Sequence, residues 1–449
     1  MKNLLLQGCN GFLIGCGLFV LTLATPANAQ TRLGGTPLSL NEALETGLKN
    51  RYDLQANQVS LALSENSIQK NRSGWLPDIA ASGSVRYNTQ LQTTVIPAGL
   101  FPGSTEAQRI AFGTKNSTVF ALDLTQPLYR PQAKTDRAIL ENNKALTQEQ
   151  NGQQQTSVKI RIAEAYLNVL LRDLQRTIAR ADAQRYVAYF AISEGKYKLG
   201  ALLESDYLNG RLDLQNSQLT AQKAEQTYRQ AQATLCYELN IPTDTTLVLT
   251  DRIDPQQVAA YQLEANPTER TELRQARLRQ EGYALQSRNV LNLLRPTVSF
   301  FANYSTQFLQ NDFRYFSQPW SPFNYLGVQF RLPLTGQFTR KTDLNTYRLY
   351  QQQTALNLKQ TEADIANEID KGRDELTNAA RNLQSTKASL DLSTQLHQLQ
   401  QEQYRLGTRL YSQVLDTEKS LQTAEQNYLE AAYNFLVARL TYEKAIGTY

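Results

Sequence analysis

The sequence predicts a mainly α-helical protein with a small β part, made of two copies of one helix–strand–strand–helix unit. Two Tyr-x-Leu-Gly turns carry glycines 207 positions apart, at Gly200 and Gly407. Each turn ends a long helical pattern without proline, over 133–196 and 340–405. At 1.5 Å per residue, either helix would be about 100 Å long. Such lengths predict an elongated antiparallel coiled-coil bundle, with the strands at one end and both turns at the other.

The duplication extends well upstream of the turns. Lys-Thr-Asp occurs at 134–136 and again, 207 positions later, at 341–343. A proline precedes each predicted strand pair, and the copies differ mainly in the length of the loop inside that pair. The sequence therefore predicts four parts: a signal peptide (1–29), a first repeat (30–240), a linker or equatorial segment (241–267) and a second repeat (268–449).

The N-terminus has the pattern of an export signal. Lys2 precedes an apolar run over 11–24, and Ala-Asn-Ala at 27–29 matches a small-residue cleavage pattern. A lipoprotein signal is the alternative, because residues 13–16 have the shape of a lipobox that ends at Cys16. Beyond the signal only Cys236 remains, which excludes an internal disulfide and is typical of a small buried side chain.

Composition limits the function classes. The chain has 449 residues, of which 41% are hydrophobic, and its mean hydropathy of -0.47 suits long amphipathic helices better than several thick cores. The net charge of +5 is small, and basic and acidic residues are interspersed, so no nucleic-acid partner is expected. No run of about 18 apolar residues follows the signal, so any membrane-spanning part must consist of strands.

The first mature element is a helix over about 39–72, because Ser39 and Glu42 form a capping-box pattern and Pro77 follows the end. The period then changes to two. Apolar and more polar residues alternate over four segments, at 79–88, about 117–126, 297–304 and 325–332. Each segment is about as long as the ten residues that a tilted transmembrane strand needs.

Four strands cannot close a barrel, and open strand edges are not tolerated in lipid. A membrane location therefore requires a homo-oligomer. A pair of soluble hairpins on a sheet is the alternative. The aromatic segment 308–323 fits an interfacial aromatic belt as well as a packed external loop.

Past the two turns the chain returns as shorter helices, over about 202–238 and 409–445. The other short helices, over about 39–72 and 268–294, can stack end to end with them and so match the length of the long helices. A seven-residue apolar spacing in the second long helix indicates a left-handed coiled-coil seam. Its members are Ile369, Leu376, Leu383 and Leu390. His397, the only histidine, is next on this seam and is predicted to be a packing residue and not a metal ligand.

Motifs of catalysis and nucleotide binding are missing from the sequence. It has no G-x-x-x-x-G-K-[ST], G-x-S-x-G or H-E-x-x-H motif and no paired C-x-x-C. The sequence therefore predicts no enzyme activity, no cofactor and no metal site. Any energy-dependent work must come from a partner.

Together, the signal, the duplicated plan, the prolines before the strand pairs and long helices, and the Tyr-x-Leu-Gly turns resemble the TolC family of outer-membrane efflux ducts over 38–447. The resemblance implies a homotrimer with a shared twelve-strand β-barrel in outer-membrane lipid, four strands per chain, that continues into an α-helical tunnel in the periplasm. It also implies a passive exit duct of a tripartite efflux or type I secretion system. An inner-membrane RND or ABC pump and a periplasmic adaptor (membrane fusion) protein would be its partners.

The resemblance also assigns residues. The turns that the family offers to adaptor hairpins correspond to Leu199, Gly200 and Ala201 and to Leu406, Gly407 and Thr408. Tyr404 and Arg409 match residues that hold the tunnel entrance closed, by bonding to an aspartate and a hydroxyl residue of the other repeat. Asp206 and Ser205 stand at those positions.

At the constriction, Asp416 matches one of two acidic ring positions in the family, whereas Gln413 stands at the other. This departure weakens the expectation of a strong cation-block site. Ordinary helix-turn chemistry, with glycine as the C-cap, is the alternative for the turns. A structural coiled-coil surface protein without a through-pore is the alternative function.

Overall fold

The computed structural model describes residues 37–97, 107–243, 245, 247–251, 270–316, 319–406, 408–409 and 411–448. The predicted signal peptide and most of the predicted linker lie outside these residues. The first part contains β1 (Pro37–Leu38), α1 (Leu40–Asn50), α2 (Tyr52–Ser73), β2 (Asp78–Tyr87), β3 (Gln92–Ile96), β4 (Gln108–Phe112), β5 (Asn116–Tyr129), α3 (Ala133–Lys198) and α4 (Glu204–Leu239). The second contains β6 (Val248–Leu249), α5 (Thr271–Leu293), β7 (Thr297–Gln310), β8 (Ser321–Arg331), α6 (Gly336–Arg405) and α7 (Tyr411–Ala445).

The long helices have the predicted size. α3 contains 66 residues and α6 contains 70, so each is about 100 Å long. α3 packs on α4, and α6 packs on α7, as two antiparallel hairpins, while α2 and α5 pack on the strand-proximal parts of the long helices. None of the described helices is both long and apolar enough to cross a membrane.

The predicted first helix is divided in two at Arg51. Its start is as predicted, because the Ser39 amide donates to Glu42 Oε2 at 2.8 Å and the Glu42 amide donates to Ser39 Oγ at 3.4 Å. Arg51 has an extended backbone, with ψ of 127°, and its side chain pairs with Asp53 at 2.9 Å and with Glu238 of α4. These ion pairs fix the change of direction between α1 and α2.

Four strands form one antiparallel sheet in the order β2, β5, β7, β8. The first repeat supplies β2 and β5, and the second supplies β7 and β8. The two repeats of the chain join where β5 pairs with β7. Within the described part of the chain, β2 and β8 each have a neighbour on one side only. The sheet therefore ends in two open edges.

The strand register places the predicted apolar residues on one face of the sheet. Ile79 lies opposite Leu124, and Phe300 lies opposite Val328. The exposed members of this apolar face are Ile79, Val85, Tyr87, Phe120, Leu122, Tyr304, Leu326, Val328 and Phe330. On the other face the Asn303 amide donates to Asp123 at 2.6 Å. One face is thus mostly apolar and exposed over much of its area, and the other carries the hydrogen-bonded polar pair.

The structure adds a hairpin where the sequence predicts only a loop. β3 and β4 pair antiparallel between β2 and β5, with Thr94 opposite Ile110. The prolines and glycines that favour a loop begin only at Pro97. Residues 93–96 are all β-branched, which favours an extended strand even in a connection between two others.

The aromatic segment between β7 and β8 packs back onto the apolar face. Tyr315 lies on Phe308, with 4.6 Å between ring centroids, and Trp320 lies 5.6 Å from the same ring. Phe313 stacks on Tyr87 of the far strand β2 at 5.9 Å. The described part of this segment therefore crosses the apolar face at the end of the sheet that is remote from the helices.

Three apolar clusters hold the helices together. One joins α1, α3 and α4 and includes Ile162, Leu235 and the buried Cys236, beside the parallel β1–β6 pair. A second contains Leu376 and Leu383 of the predicted seam, packed against α7. The third is smaller and joins α3 of the first repeat to α7 of the second, through Ala163, Leu167 and Leu440.

Candidate functional site at the interhelical turns

The first turn ends α3 with a left-handed glycine. Gly200 has φ of +69°, and its amide donates to the Tyr197 carbonyl at 2.9 Å. The Ala201 amide donates to the Lys196 carbonyl, also at 2.9 Å. This bond pattern is a Schellman motif, which ends a helix and reverses the chain within a few residues. Leu199 at its apex is 85% exposed.

The second turn repeats the longer-range of these two bonds. The Thr408 amide donates to the Gln403 carbonyl at 3.0 Å, at positions equivalent to Ala201 and Lys196. Leu406 is 68% exposed, and Gly407 lies outside the described residues. The two repeats therefore each present an exposed leucine on a matched turn.

The turns meet through Lys196 and Tyr404. Lys196 Nζ donates to Tyr404 Oη at 2.9 Å, and it also lies 4.6 Å from the centroid of the tyrosine ring. Arg409 Nε donates to Gln403 Oε1 at 3.0 Å, within its own turn. The predicted gate residues Tyr404 and Arg409 thus lie at the junction of the two hairpins, with Tyr404 held by a lysine that the sequence did not predict.

The remaining predicted gate residues are exposed on the helices that follow the turns. Ser205 and Asp206 lie in the first turn of α4, where a carboxylate is stabilised by the helix dipole. Gln413 and Asp416 lie in the first turns of α7. The pairing of Tyr404 and Arg409 with Ser205 and Asp206, and the constriction formed by Gln413 and Asp416, stay predictions.

Aromatic packing stiffens the first turn. Tyr197 stacks on Tyr207 of α4 with 4.7 Å between ring centroids. Phe190 lies 5.5 Å from the same ring. Because these contacts connect α3 with α4 on both sides of Gly200, the first hairpin reaches the turn as a packed pair of helices.

A cluster of mostly buried charged side chains, which was not predicted from the sequence, lies behind the turns. Arg185 of α3 donates through Nε to Glu418 of α7 at 2.6 Å and also pairs with Asp182. Gln422 Nε2 donates to Asp182 Oδ2 at 2.9 Å. His397 Nε2 lies 3.1 Å from the other Glu418 oxygen, Oε2. We call Asp182, Arg185, His397, Glu418 and Gln422 the joint cluster.

The acidic residues and the histidine of the joint cluster are excluded from water, whereas the Arg185 side chain is 30% exposed. Glu418 is 1% exposed, Asp182 2% and His397 5%. Burial raises the pKa of the Asp182 carboxyl, and the charge of Glu418 adds to this increase, while Arg185 opposes it. Burial also raises the pKa of the neighbouring Glu425 carboxyl, with a further contribution from Asp182. Charge is thus concentrated where the two hairpins touch.

A periodic signal for this cluster exists in the sequence. Apolar side chains recur every seven residues along α7, at Val414, Leu421 and Tyr428. Glu418 and Glu425 lie four residues after Val414 and Leu421, at positions that are also expected to face inward. Acidic residues at core positions of an otherwise regular seam indicate a buried partner of opposite charge. In the described residues, no group of acidic, histidine and cysteine side chains has an arrangement suited to a metal ion.

Comparison with known proteins gives the family. The model of the family described as outer membrane efflux protein matches residues 43–239 and 266–448. The chain belongs to this family, as an outer-membrane protein of the efflux class with a duplicated domain. No curated protein matches its sequence.

Solved outer-membrane channels share its fold. The crystal structure of CusC is 16% identical, with a TM-score of 0.72, over 91% of this chain and 92% of that one. The Campylobacter jejuni CmeC outer membrane channel is 16% identical, with a TM-score of 0.69, over 91% and 85%. The open state of the Neisseria gonorrhoeae MtrE channel is 14% identical, with a TM-score of 0.68, over 91% and 88%. The predicted fold class, a β-barrel part continued by a duplicated α-helical tunnel, is confirmed.

The geometry of the first turn predicts that alanine substitution has opposite effects on stability at Gly200 and at Gly195. Gly200→Ala places a Cβ on a left-handed backbone and should destabilise the turn by about 1 kcal/mol. Gly195→Ala is the matched control, since Gly195 lies in the helix with no atom close to an added Cβ, and it should stabilise α3 by about 0.5–1 kcal/mol. Hydrogen exchange of peptides over 190–205 should be faster in the first variant and slower in the second. Equal exchange in both would contradict the turn geometry.

The raised pKa of Glu425 predicts a pH-dependent stability. A raised pKa in the folded state means that this carboxyl opposes folding once the pH exceeds that pKa, and opposes it less as the pH falls. Glu425→Gln should therefore raise the free energy of unfolding at pH 7, by on the order of 1 kcal/mol, and this gain should disappear in acid. Thermal unfolding, followed by circular dichroism at pH 7 and in acid, measures this difference in stability. Glu430→Gln, exposed on the same helix, is the control, and destabilisation by Glu425→Gln at pH 7 would refute the argument.

Proposed function

We propose that this chain is the outer-membrane exit duct of a tripartite efflux or type I secretion system. It conducts substrates passively from an inner-membrane RND or ABC pump, across the periplasm and the outer membrane. The main support is a sheet with one apolar and one polar face, placed at one end of helices about 100 Å long. The other end carries two matched turns with exposed leucines.

The barrel is closed by three copies of the chain. Open edges at β2 and β8 call for pairing with another copy, and three copies of a four-stranded sheet give twelve strands. β2 contains 10 residues, which corresponds to about 33 Å of strand and to a band about 25 Å tall once tilted. This height suits the hydrocarbon layer of the outer membrane, with the apolar face toward lipid and the polar face toward the lumen.

The turns form the periplasmic mouth. Leu199 and Leu406 offer apolar contacts to the hairpin of a periplasmic adaptor, on backbones fixed by the Schellman bonds. Tyr404 and Arg409 hold the mouth closed, with Lys196 as the partner of Tyr404 in the single chain. Adaptor binding opens the mouth only to the extent that the adaptor prefers the open arrangement. In the trimer, Asp416 contributes a ring of three carboxylates at the constriction, without a second ring at Gln413.

Loss of the mouth contacts should raise conductance. Tyr404→Phe removes the acceptor of the Lys196 hydrogen bond, and Arg409→Ser removes the guanidinium next to it. The double variant, reconstituted in planar bilayers as the purified trimer, should conduct severalfold more than the unchanged protein. Tyr237→Phe with Arg229→Ser is the matched control on α4, at exposed side chains far from the turns. This control should leave conductance unchanged.

The outcomes separate the parts of the proposal. If the trimers conduct but the double variant shows no increase in conductance, the contacts that hold the mouth closed lie elsewhere in the chain. Complete absence of conductance steps from all folded trimers would refute the duct and favour a structural coiled-coil surface protein.

The position of the sheet in lipid can be tested by fluorescence. The chain has two tryptophans, so Trp75→Phe with Trp320→Phe gives a protein without tryptophan fluorescence. Phe316→Trp in this background reports on a fully exposed aromatic side chain next to Tyr315, which packs on Phe308 of the apolar face. We expect quenching by lipids brominated near the headgroup, and protection from aqueous iodide. Leu199→Trp at the mouth should behave in the opposite way, and iodide quenching of both reporters would contradict a lipid-facing segment.

A further inference from the structure

We infer that the joint cluster is a second latch of the duct, which holds the α3–α4 hairpin to the α6–α7 hairpin in the closed state and separates when the mouth opens. The inference rests on the proposed function. It assigns a positioning role in gating to Asp182, Arg185 and Glu418, which do not belong to the turns.

Apart from the Lys196–Tyr404 contact at the turns, a polar and an apolar contact join the hairpins within the described residues, and the joint cluster is the polar one. The apolar contact of Ala163, Leu167 and Leu440 also joins α3 to α7, but nearer the middle of the bundle. Apolar contacts are non-directional and tolerate small rotations. Hydrogen-bonded ion pairs are directional, so the Arg185–Glu418 bond at 2.6 Å is lost once the two helices move apart. The apolar contact therefore acts as a pivot and the joint cluster as a latch.

The spacing along α3 gives the size of the movement. From Leu167 to Arg185 is about 27 Å of helix, and from Leu167 to Leu199 is about 48 Å. If the hairpin turns about Leu167, a movement of about 5 Å at the turn corresponds to about 3 Å at Arg185. This displacement is enough to break both links across the joint, Arg185 to Glu418 and Asp182 to Gln422.

The composition of the cluster suits a reversible contact. Within α3, Arg185 remains beside Asp182 whether the joint is open or closed, because the two residues are one helical turn apart. Within the other hairpin, His397 of α6 remains beside Glu418 of α7. Asp182 thus keeps its arginine when the joint opens, while Glu418 keeps the adjacent His397 ring and is solvated by water that enters the joint. Buried ion pairs add little net stability but specify one arrangement over others, as a latch requires.

Single-channel recording tests the latch. Glu418→Gln and Arg185→Gln should each raise the fraction of time in the high-conductance state, by roughly tenfold. The double variant should add little to either single change, because both remove one interaction. Arg137→Gln is the control, as Arg137 forms an exposed ion pair on the same helix. Trimers that resist SDS and retain the helical circular dichroism spectrum establish that each variant is folded.

The outcomes distinguish the latch from the duct. Unchanged gating in folded Glu418→Gln and Arg185→Gln trimers, while Tyr404→Phe with Arg409→Ser raises conductance, overturns the latch and leaves the duct intact. If Arg185→Gln does not assemble, Glu418→Gln decides, since its amide preserves the shape of the side chain. If no variant conducts, the duct itself fails and the latch fails with it.

A cross-link across the joint provides a second test. Cysteines in place of Asp182 and Gln422, in a Cys236→Ala background, can be joined by a short bis-methanethiosulfonate, which forms a disulfide with each thiolate and releases methanesulfinate, because the native side chains touch at 2.9 Å. The linked trimer should stay in the low-conductance state even with Tyr404→Phe and Arg409→Ser, and a reductant should restore the high-conductance state. Equal conductance of linked and unlinked trimers would show that the joint does not move on opening, and would overturn the inference.

Discussion

The two open edges of the sheet constrain every other part of this protein. β2 and β8 present unpaired backbone groups, and a hydrocarbon layer contains no water to satisfy them. Further copies of the chain must therefore pair with both edges, and the sheet becomes part of a closed ring with its polar face inside. Each strand pair leads directly into a long helix, α3 after β5 and α6 after β8. A ring of strands thus imposes a ring of helices, and the tunnel follows from closure of the barrel.

Closure at the membrane end leaves the other end free to move. The strands share hydrogen bonds along their whole length, whereas the described parts of the two hairpins of one chain meet through a small apolar cluster, the joint cluster and the Lys196–Tyr404 contact at the turns. Helix pairs that are well packed internally, and only lightly joined to each other, move as units. Tyr197, Tyr207 and Phe190 pack α3 against α4 close to the turn, so the turn and the joint cluster lie on one well-packed helix pair.

The regular parts of the fold were predictable because they are periodic. Proline-free runs gave the extent of α3 and α6, alternation gave the four barrel strands, and seven-residue spacing gave the seam of Leu376 and Leu383. The β3–β4 hairpin was missed because turn residues close by outweighed a short β-branched run. Contacts such as Lys196 with Tyr404 depend on how two helices are rotated about their axes, and the sequence of either helix alone does not determine that rotation. Glu418 was detectable as an acidic residue at a core position, although its partner Arg185 lies in the other repeat, 233 positions away.

The duplication of the backbone does not extend to the chemistry of the joint. At the offset that relates the turns, Glu418 corresponds to Arg211 and Arg185 to Leu392, and both counterparts are exposed in the single chain. In the proposed trimer, the equivalent contact between α6 and α4 falls between neighbouring copies, and it lacks the buried ion pair of the intrachain joint. Exposed Leu392, Leu396 and Leu399 of α6 favour an apolar contact there. Alternate joints around the proposed mouth therefore differ in chemistry, with a buried ion pair within each chain and apolar surface between chains.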